Sequence, residues 1–136
     1  PRRLPRKNLE ELYPARCERP VNGLDYFKVI GESRISLNKH TDRSLGDVGN
    51  LRLFEATGMG SCLLTDDGRN IRDLFEPDIE IVTYRSTAEA IEKINYLLEN
   101  ESAREAIAIA GQRKTLRSHT IQNRCQLIDE LVKTKL

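Results

Sequence analysis

A chain of 136 residues, 38% apolar and 32% charged, has the size and composition of one soluble globular domain. Its formal net charge of +1 offers no overall field to draw nucleic acid or acidic lipid, and no apolar run approaches the roughly 20 residues that a membrane span needs. The three cysteines, Cys17, Cys62 and Cys125, are odd in number and far apart. Without a CxxC pair they signal neither a disulfide framework nor a zinc site, and they fit a reducing, cytoplasmic setting.

Residues 1–23 are expected to be irregular. Pro5, Pro14 and Pro20 interrupt them, and only Asn8 to Tyr13 has room for a short helix. Arg2, Arg3, Arg6 and Lys7 read as a solvated basic tail. The chain opens on Pro1 without a Met or a signal-peptide pattern, as expected of a trimmed piece of something longer. A helix is predicted over Tyr26 to Gly31, with Asp25 as N-cap and Phe27 and Ile30 inward. Arg34 to Asn38 alternates apolar and polar residues and reads as a strand. His40 to Asn50 is a polar loop. Leu51 to Thr57 is helical, with Gly58 placed to end it.

Ser61 to Thr65 reads as a second strand, with Cys62 a small core residue. Asp66, Asp67 and Gly68 form a turn. Asn70 caps a short helix, Ile71 to Phe75, which Pro77 stops. Glu80 to Tyr84 is the third strand. Ser86 caps a helix over Thr87 to Glu99, with Glu89 completing a capping-box-like start. Ala90, Ile91, Ile94, Leu97 and Leu98 make its apolar stripe. After a break at Asn100 to Ser102, a helix runs from Ala103 to Arg117 with Ala106, Ile107, Ala110 and Leu116 inward; Gly111 argues against a single straight rod. A last helix over about Thr120 to Lys133 gathers Ile121, Cys125, Ile128 and Leu131 (or Val132) on one face.

Strands alternating with helices predict an α/β fold of three-layer, Rossmann-like type: a partial parallel sheet flanked by helices, followed by a C-terminal helical segment. Three strands fall short of the five or six usual in a doubly wound sheet. Either the first 30 residues supply further structure, or this is half of a larger domain, in which case one sheet edge would be exposed and ready to pair. Asp47 to Asp67 has the layout of a ligand crevice in such a sheet: a glycine-containing loop, a helix start, a glycine turn, then a strand with a polar C-terminal end.

Several pieces, in order, resemble a known family. They are Ser36-Leu-Asn-Lys-His40, Arg52-Leu-Phe-Glu-Ala56, Leu63-Leu-Thr-Asp-Asp67, Leu74-Phe-Glu-Pro77 and Glu80-Ile-Val-Thr-Tyr84. Ile107 and Ala108 with Gly111, His119-Thr120 and Asn123-Arg124 continue the series. Together they look like the C-terminal part of group 1 glycosyltransferases, with the spore-maturation-protein-like group of two-domain GT-B enzymes as the most similar subset. The resemblance spans about residues 24 to 135. It implies that residues 24–136 are a Rossmann-like domain binding a nucleotide-diphosphate sugar, with the acceptor largely on an N-terminal domain. Transfer would take place in the cleft between the two, with retention at the anomeric carbon.

The family's donor motif is an acidic residue, seven residues, then Glu. Asp47 and Glu55 have that spacing here, with Asp one methylene shorter than the usual Glu. The resemblance implies that Glu55 accepts hydrogen bonds from the ribose hydroxyls, a vicinal diol that matches a carboxylate. Asp47 would face the sugar. Gly49, Asn50 and Leu51 would face the diphosphate through helix-start amides, and Arg52 would either neutralise a phosphate or form a salt bridge on an exposed helix. Asn38 and His40 stand at the C-terminal end of the first strand, the edge where ligands collect. His119 reads as structural. Asp66 and Asp67, adjacent at a turn, read as turn chemistry rather than a metal site, and no cofactor beyond the substrate is expected.

The acceptor domain is not in the chain, so turnover by this chain alone is not expected. The alternative is a non-catalytic nucleotide-binding or interaction module with the same fold. A homodimer through the sheet edge or the last helix is a further expectation. A signalling domain of the response-regulator kind would need a Lys on a later strand, and the third strand ends at Tyr84 without one.

Overall fold

The computed structural model describes residues 9–40 and 46–135. The basic tail and part of the loop before Gly46 lie outside the described residues. The N-terminal segment contains one helical turn, α1 (Leu9–Leu12), and a 3-10 turn at Pro14–Arg16. The elements that follow are α2 (Leu24–Glu32), β1 (Ile35–Asn38), α3 (Leu51–Gly58), β2 (Cys62–Asp66) and α4 (Ile71–Leu74). Then come β3 (Val82–Tyr84), α5 (Thr87–Glu99), α6 (Glu101–Ser118) and α7 (Ile121–Lys135). The three strands form one parallel sheet in the order β1-β2-β3, with Ile35 opposite Cys62 and Leu64 opposite Val82. Helices flank it, so the architecture is the partial Rossmann-like sheet expected.

Two apolar clusters hold the layers together. Leu63 of β2 joins Ile30 of α2, Leu53 and Ala56 of α3, and Ile71, Phe75 and Ile81 on one face. Cys62 and Leu64, the alternate residues of β2, join Val82 of β3 with Ala90 and Leu97 of α5 on the other. Covered on both faces, β2 therefore reads as an uninterrupted apolar run, as the central strand of a parallel sheet does.

Strand β1 reverses the expected polarity. Ser36 and Asn38 are buried, whereas Leu37 is 57% exposed. The buried polar atoms have partners: Ser36 Oγ lies 2.8 Å from Ser61 Oγ, and Asn38 joins the network described below.

Caps and helix faces depart from the sequence expectation in specific ways. The N-cap of α2 is Gly23 at φ +62°, a backbone conformation suited to glycine, and not Asp25. Phe27 lies edge-on to Tyr26 rather than in the core. Helix α3 keeps Gly58 as its last residue, with Met59 at the C-cap, and the left-handed residue of the turn is Gly60, at φ +79°. Ser86 caps α5 as expected, accepting from the Glu89 amide, while the Glu89 carboxylate accepts from the Arg85 amide. The break between α5 and α6 is a single residue, Asn100.

Gly111 does not interrupt α6. The helix runs unbroken and buries Arg104, Gly111 and Thr115, leaving Ala106 and Leu116 exposed. Its inward face crosses the end of the sheet opposite the strand C-termini. Thr115 Oγ1 sits 2.6 Å from Thr57 Oγ1, Gln112 donates to the Gly58 carbonyl, and Gly111 rests on Glu80. Small residues are selected there because helix and loop backbones nearly touch. Helix α7 buries none of its residues; Ile121, Ile128, Leu131 and Val132 all stand exposed. No described helix is long and apolar enough to cross a membrane.

Candidate functional site

The C-terminal ends of the three strands open on a cleft of about 940 Å³. Leu37, Asn38 and Lys39 line it from β1, Asp66 to Arg69 from the end of β2, and Tyr84 and Arg85 from β3. The start of α5 closes one side. A smaller groove of about 400 Å³ lies along β1, between Arg52, Tyr26 and the segment Arg19–Val21. Leu37 lines both.

Asn38 and His40 bind the first turn of α3 to the sheet. Asn50, the N-cap of α3, exchanges two side-chain hydrogen bonds with Asn38. Its Nδ2 donates to Asn38 Oδ1 at 3.0 Å, and Asn38 Nδ2 donates back at 3.1 Å. Asn38 Nδ2 also donates to Thr65 Oγ1 at 3.1 Å. The His40 backbone amide donates to both oxygens of Asp66, at 2.9 and 3.1 Å, and His40 Nδ1 lies 2.8 Å from Asp66 Oδ1. On the far side of the ring, Nε2 accepts from the amides of Gly49 at 3.2 Å and Asn50 at 3.4 Å. The Tyr84 hydroxyl donates to the Asn38 carbonyl at 2.8 Å. Burial first, and then the nearby Asp66 charge, raise the Tyr84 phenol above its ordinary range, so it stays a donor.

These contacts place the expected residues individually. Asn38 and His40 are both buried, and their polar atoms are engaged by α3 and β2. The Gly49 and Asn50 amides turn toward His40 rather than outward. The amides of Leu51 and Arg52 belong to the first turn, where no intrahelical acceptor exists. Asp47 is exposed and paired with Arg69 at 3.1 Å, at the cleft margin. Asp67 accepts from its neighbour Gly68 and from Arg85, as turn chemistry requires. Asp66, read from sequence as part of that turn, is instead the last residue of β2.

One turn further along α3 stands Glu55, with about a quarter of its side chain exposed. Its Oε2 accepts from the Tyr26 hydroxyl at 2.5 Å and lies 3.7 Å from Arg52 Nε. The Arg52 guanidinium also sits over the Tyr26 ring, 5.1 Å from its centroid. Arg52 Nε is itself buried without a hydrogen-bond partner among the described residues. Burial, and next the bond to Glu55, push the Tyr26 phenol above its ordinary value and keep it protonated. Glu55 lines neither cleft; Arg52 lines the smaller groove.

Tyr26, Asn70 and Tyr84 escape the sequence reading. Asn70 holds the N-cap position of α4 as expected, but its side chain clamps Val48 from both sides, accepting from its amide at 2.7 Å and donating to its carbonyl at 2.8 Å. Tyr26 is 29 positions from Glu55, and no local pattern links them. His119 packs between Phe54 and Phe75, with Nε2–H donating to the Leu74 carbonyl at 2.8 Å. It is structural, as expected. Among the described residues no group of three or more His, Cys, Asp or Glu is disposed to hold a metal ion.

Fold and site together define an α/β protein whose polar machinery gathers where a helix N-terminus meets the C-terminal edge of a parallel sheet. A family model described as glycosyl transferase-like matches residues 5–130. No curated protein and no solved structure matches the chain. The chain belongs to the glycosyl transferase-like family.

Proposed function

We propose that residues 24–136 are the donor-binding, C-terminal domain of a two-domain GT-B glycosyltransferase of the spore-maturation-protein-like kind, acting on a nucleotide-diphosphate sugar. The acceptor would be held by a separate N-terminal domain. The observation that carries this reading is Glu55. It is a half-buried carboxylate on the fifth residue of a helix whose N-terminus opens at the ligand edge of the sheet. Tyr26 and Arg52 hold one of its oxygens in place. At 1.5 Å of rise per residue, Glu55 stands roughly 7 Å along the axis from the N-cap. That offset suits a diphosphate at the helix start and a ribose beside its second turn.

In this reading the Leu51 and Arg52 amides and the α3 dipole meet the diphosphate, and the Arg52 guanidinium adds a charge to it. These groups would stabilise the negative charge that builds on the leaving diphosphate as the glycosidic bond breaks. Asp47, at the cleft margin, would face the sugar. Calorimetric titration with UDP, GDP, ADP, dTDP and their sugars tests the assignment. A nucleotide diphosphate that binds should lose at least about tenfold in affinity with Glu55→Gln, since hydrogen bonds to a charged acceptor contribute about 1.5–3 kcal/mol each. Failure of every nucleotide to bind at millimolar concentration would sink the reading.

A further inference from the structure

We propose that His40 is a positioning residue of the donor site, working through a tautomer that Asp66 imposes. This rests on the donor-site reading of α3. The Asp66 carboxylate can only accept, so the 2.8 Å contact places a proton on His40 Nδ1. The opposite nitrogen, Nε2, then carries a lone pair. Two backbone amides, of Gly49 and Asn50, point at that lone pair. With the proton on Nε2 instead, three N–H groups would converge and the contact would become repulsive.

The consequence is geometric. Asp66 closes β2, His40 follows β1, and Gly49 and Asn50 lead into α3, so one imidazole ties three elements. Its backbone amide is held by the same carboxylate, which fixes the ring's base as well as its tip. The ring is buried and both of its nitrogens are engaged within the protein. It orients the peptide groups immediately before Leu51 and Arg52, and therefore the direction in which their amides face. Asn38 and Asn50 add a second tie beside it.

Two measurements test this on the 136-residue protein. Ring-nitrogen NMR on uniformly 15N-labelled protein should show His40 as the Nδ1–H tautomer, with Nε2 unprotonated and accepting; the Nε2–H tautomer overturns the proposal. The second is binding of whichever of UDP, GDP, ADP or dTDP the wild type takes. Asn places an amide where Nδ1 was and leaves the Nε2 position empty, whereas Gln places one near Nε2. His40→Asn should weaken binding about tenfold, the equivalent of two neutral hydrogen bonds at about 0.7 kcal/mol each. His40→Gln, whose amide oxygen can accept from Gly49 and Asn50, should stay within about threefold of wild type. Circular dichroism on both variants establishes that they fold. If the wild type binds and His40→Asn binds equally well, the His40 proposal falls while the donor site stands. If the wild type binds none of the four, the donor-site reading falls and takes this proposal with it.

Discussion

Gly111→Ala should destabilise the protein by about 2 kcal/mol, against the direction that helix propensity alone would give. Alanine in a helix interior is normally better than glycine by about 1 kcal/mol. Here a methyl group would lie 2.3 Å from the Glu80 carbonyl oxygen, and 3.4 Å from both the Glu80 carbonyl carbon and Thr57 Cγ2. A relaxed C···O contact is about 3.3 Å or more, so α6 would have to retreat by roughly 1 Å. The obstacle is backbone and cannot swing aside. Overpacking of this kind costs about 1–3 kcal/mol. The retreat also stretches the buried hydroxyl pair of Thr57 and Thr115, at about 1 kcal/mol more. Set against the propensity gain, the net is about 2 kcal/mol, or a fall in Tm of roughly 5–10 °C for a domain of this size. Urea titration followed by circular dichroism measures it. Ala106→Gly, on the exposed side of the same helix, should cost about 1 kcal/mol by propensity alone. A Gly111→Ala protein as stable as wild type would refute the packing argument.

Two further outcomes rest on titrating groups. Burial pushes the Cys62 thiol up to about 11, so a thiolate-directed reagent near neutral pH should modify Cys17 and Cys125 and reach Cys62 only on unfolding; rapid native-state labelling at Cys62 would contradict this. Burial also holds His119 below its ordinary value of 6.5, outweighing the upward pull of the Leu74 carbonyl. The unfolded chain then binds more protons, so the His119 contribution to stability is complete above pH 6.5 and is lost as pH falls through the folded value. Melting temperatures measured across that window should drop more steeply for the wild type than for His119→Gln, and parallel curves would refute the assignment.

What was legible in the sequence is what depends on neighbours along the chain. The apolar run of β2 marked a strand, and Ser86 with Glu89 marked the start of α5. Propensity and capping act within a few residues, so they leave a local trace. The ordered motifs belong to the same level, and they resemble the glycosyl transferase-like family whose model matches residues 5–130. The tertiary structure alone decided which faces those elements bury. Ser36 and Asn38 face inward while Leu37 does not, because Ser61, Thr65 and Asn50 supply partners that no pattern in β1 announces. Gly111 reads as a helix breaker until Glu80, 31 positions earlier, is seen to need the space. The same holds at the site. The sequence shows only that Asn38 and His40 stand at a strand end; that both are buried, with polar atoms engaged by α3, Thr65 and Asp66, is visible only in the fold. Hydrogen-bond partners and close backbone approaches are set by distance in space, and the linear order of residues carries no record of it.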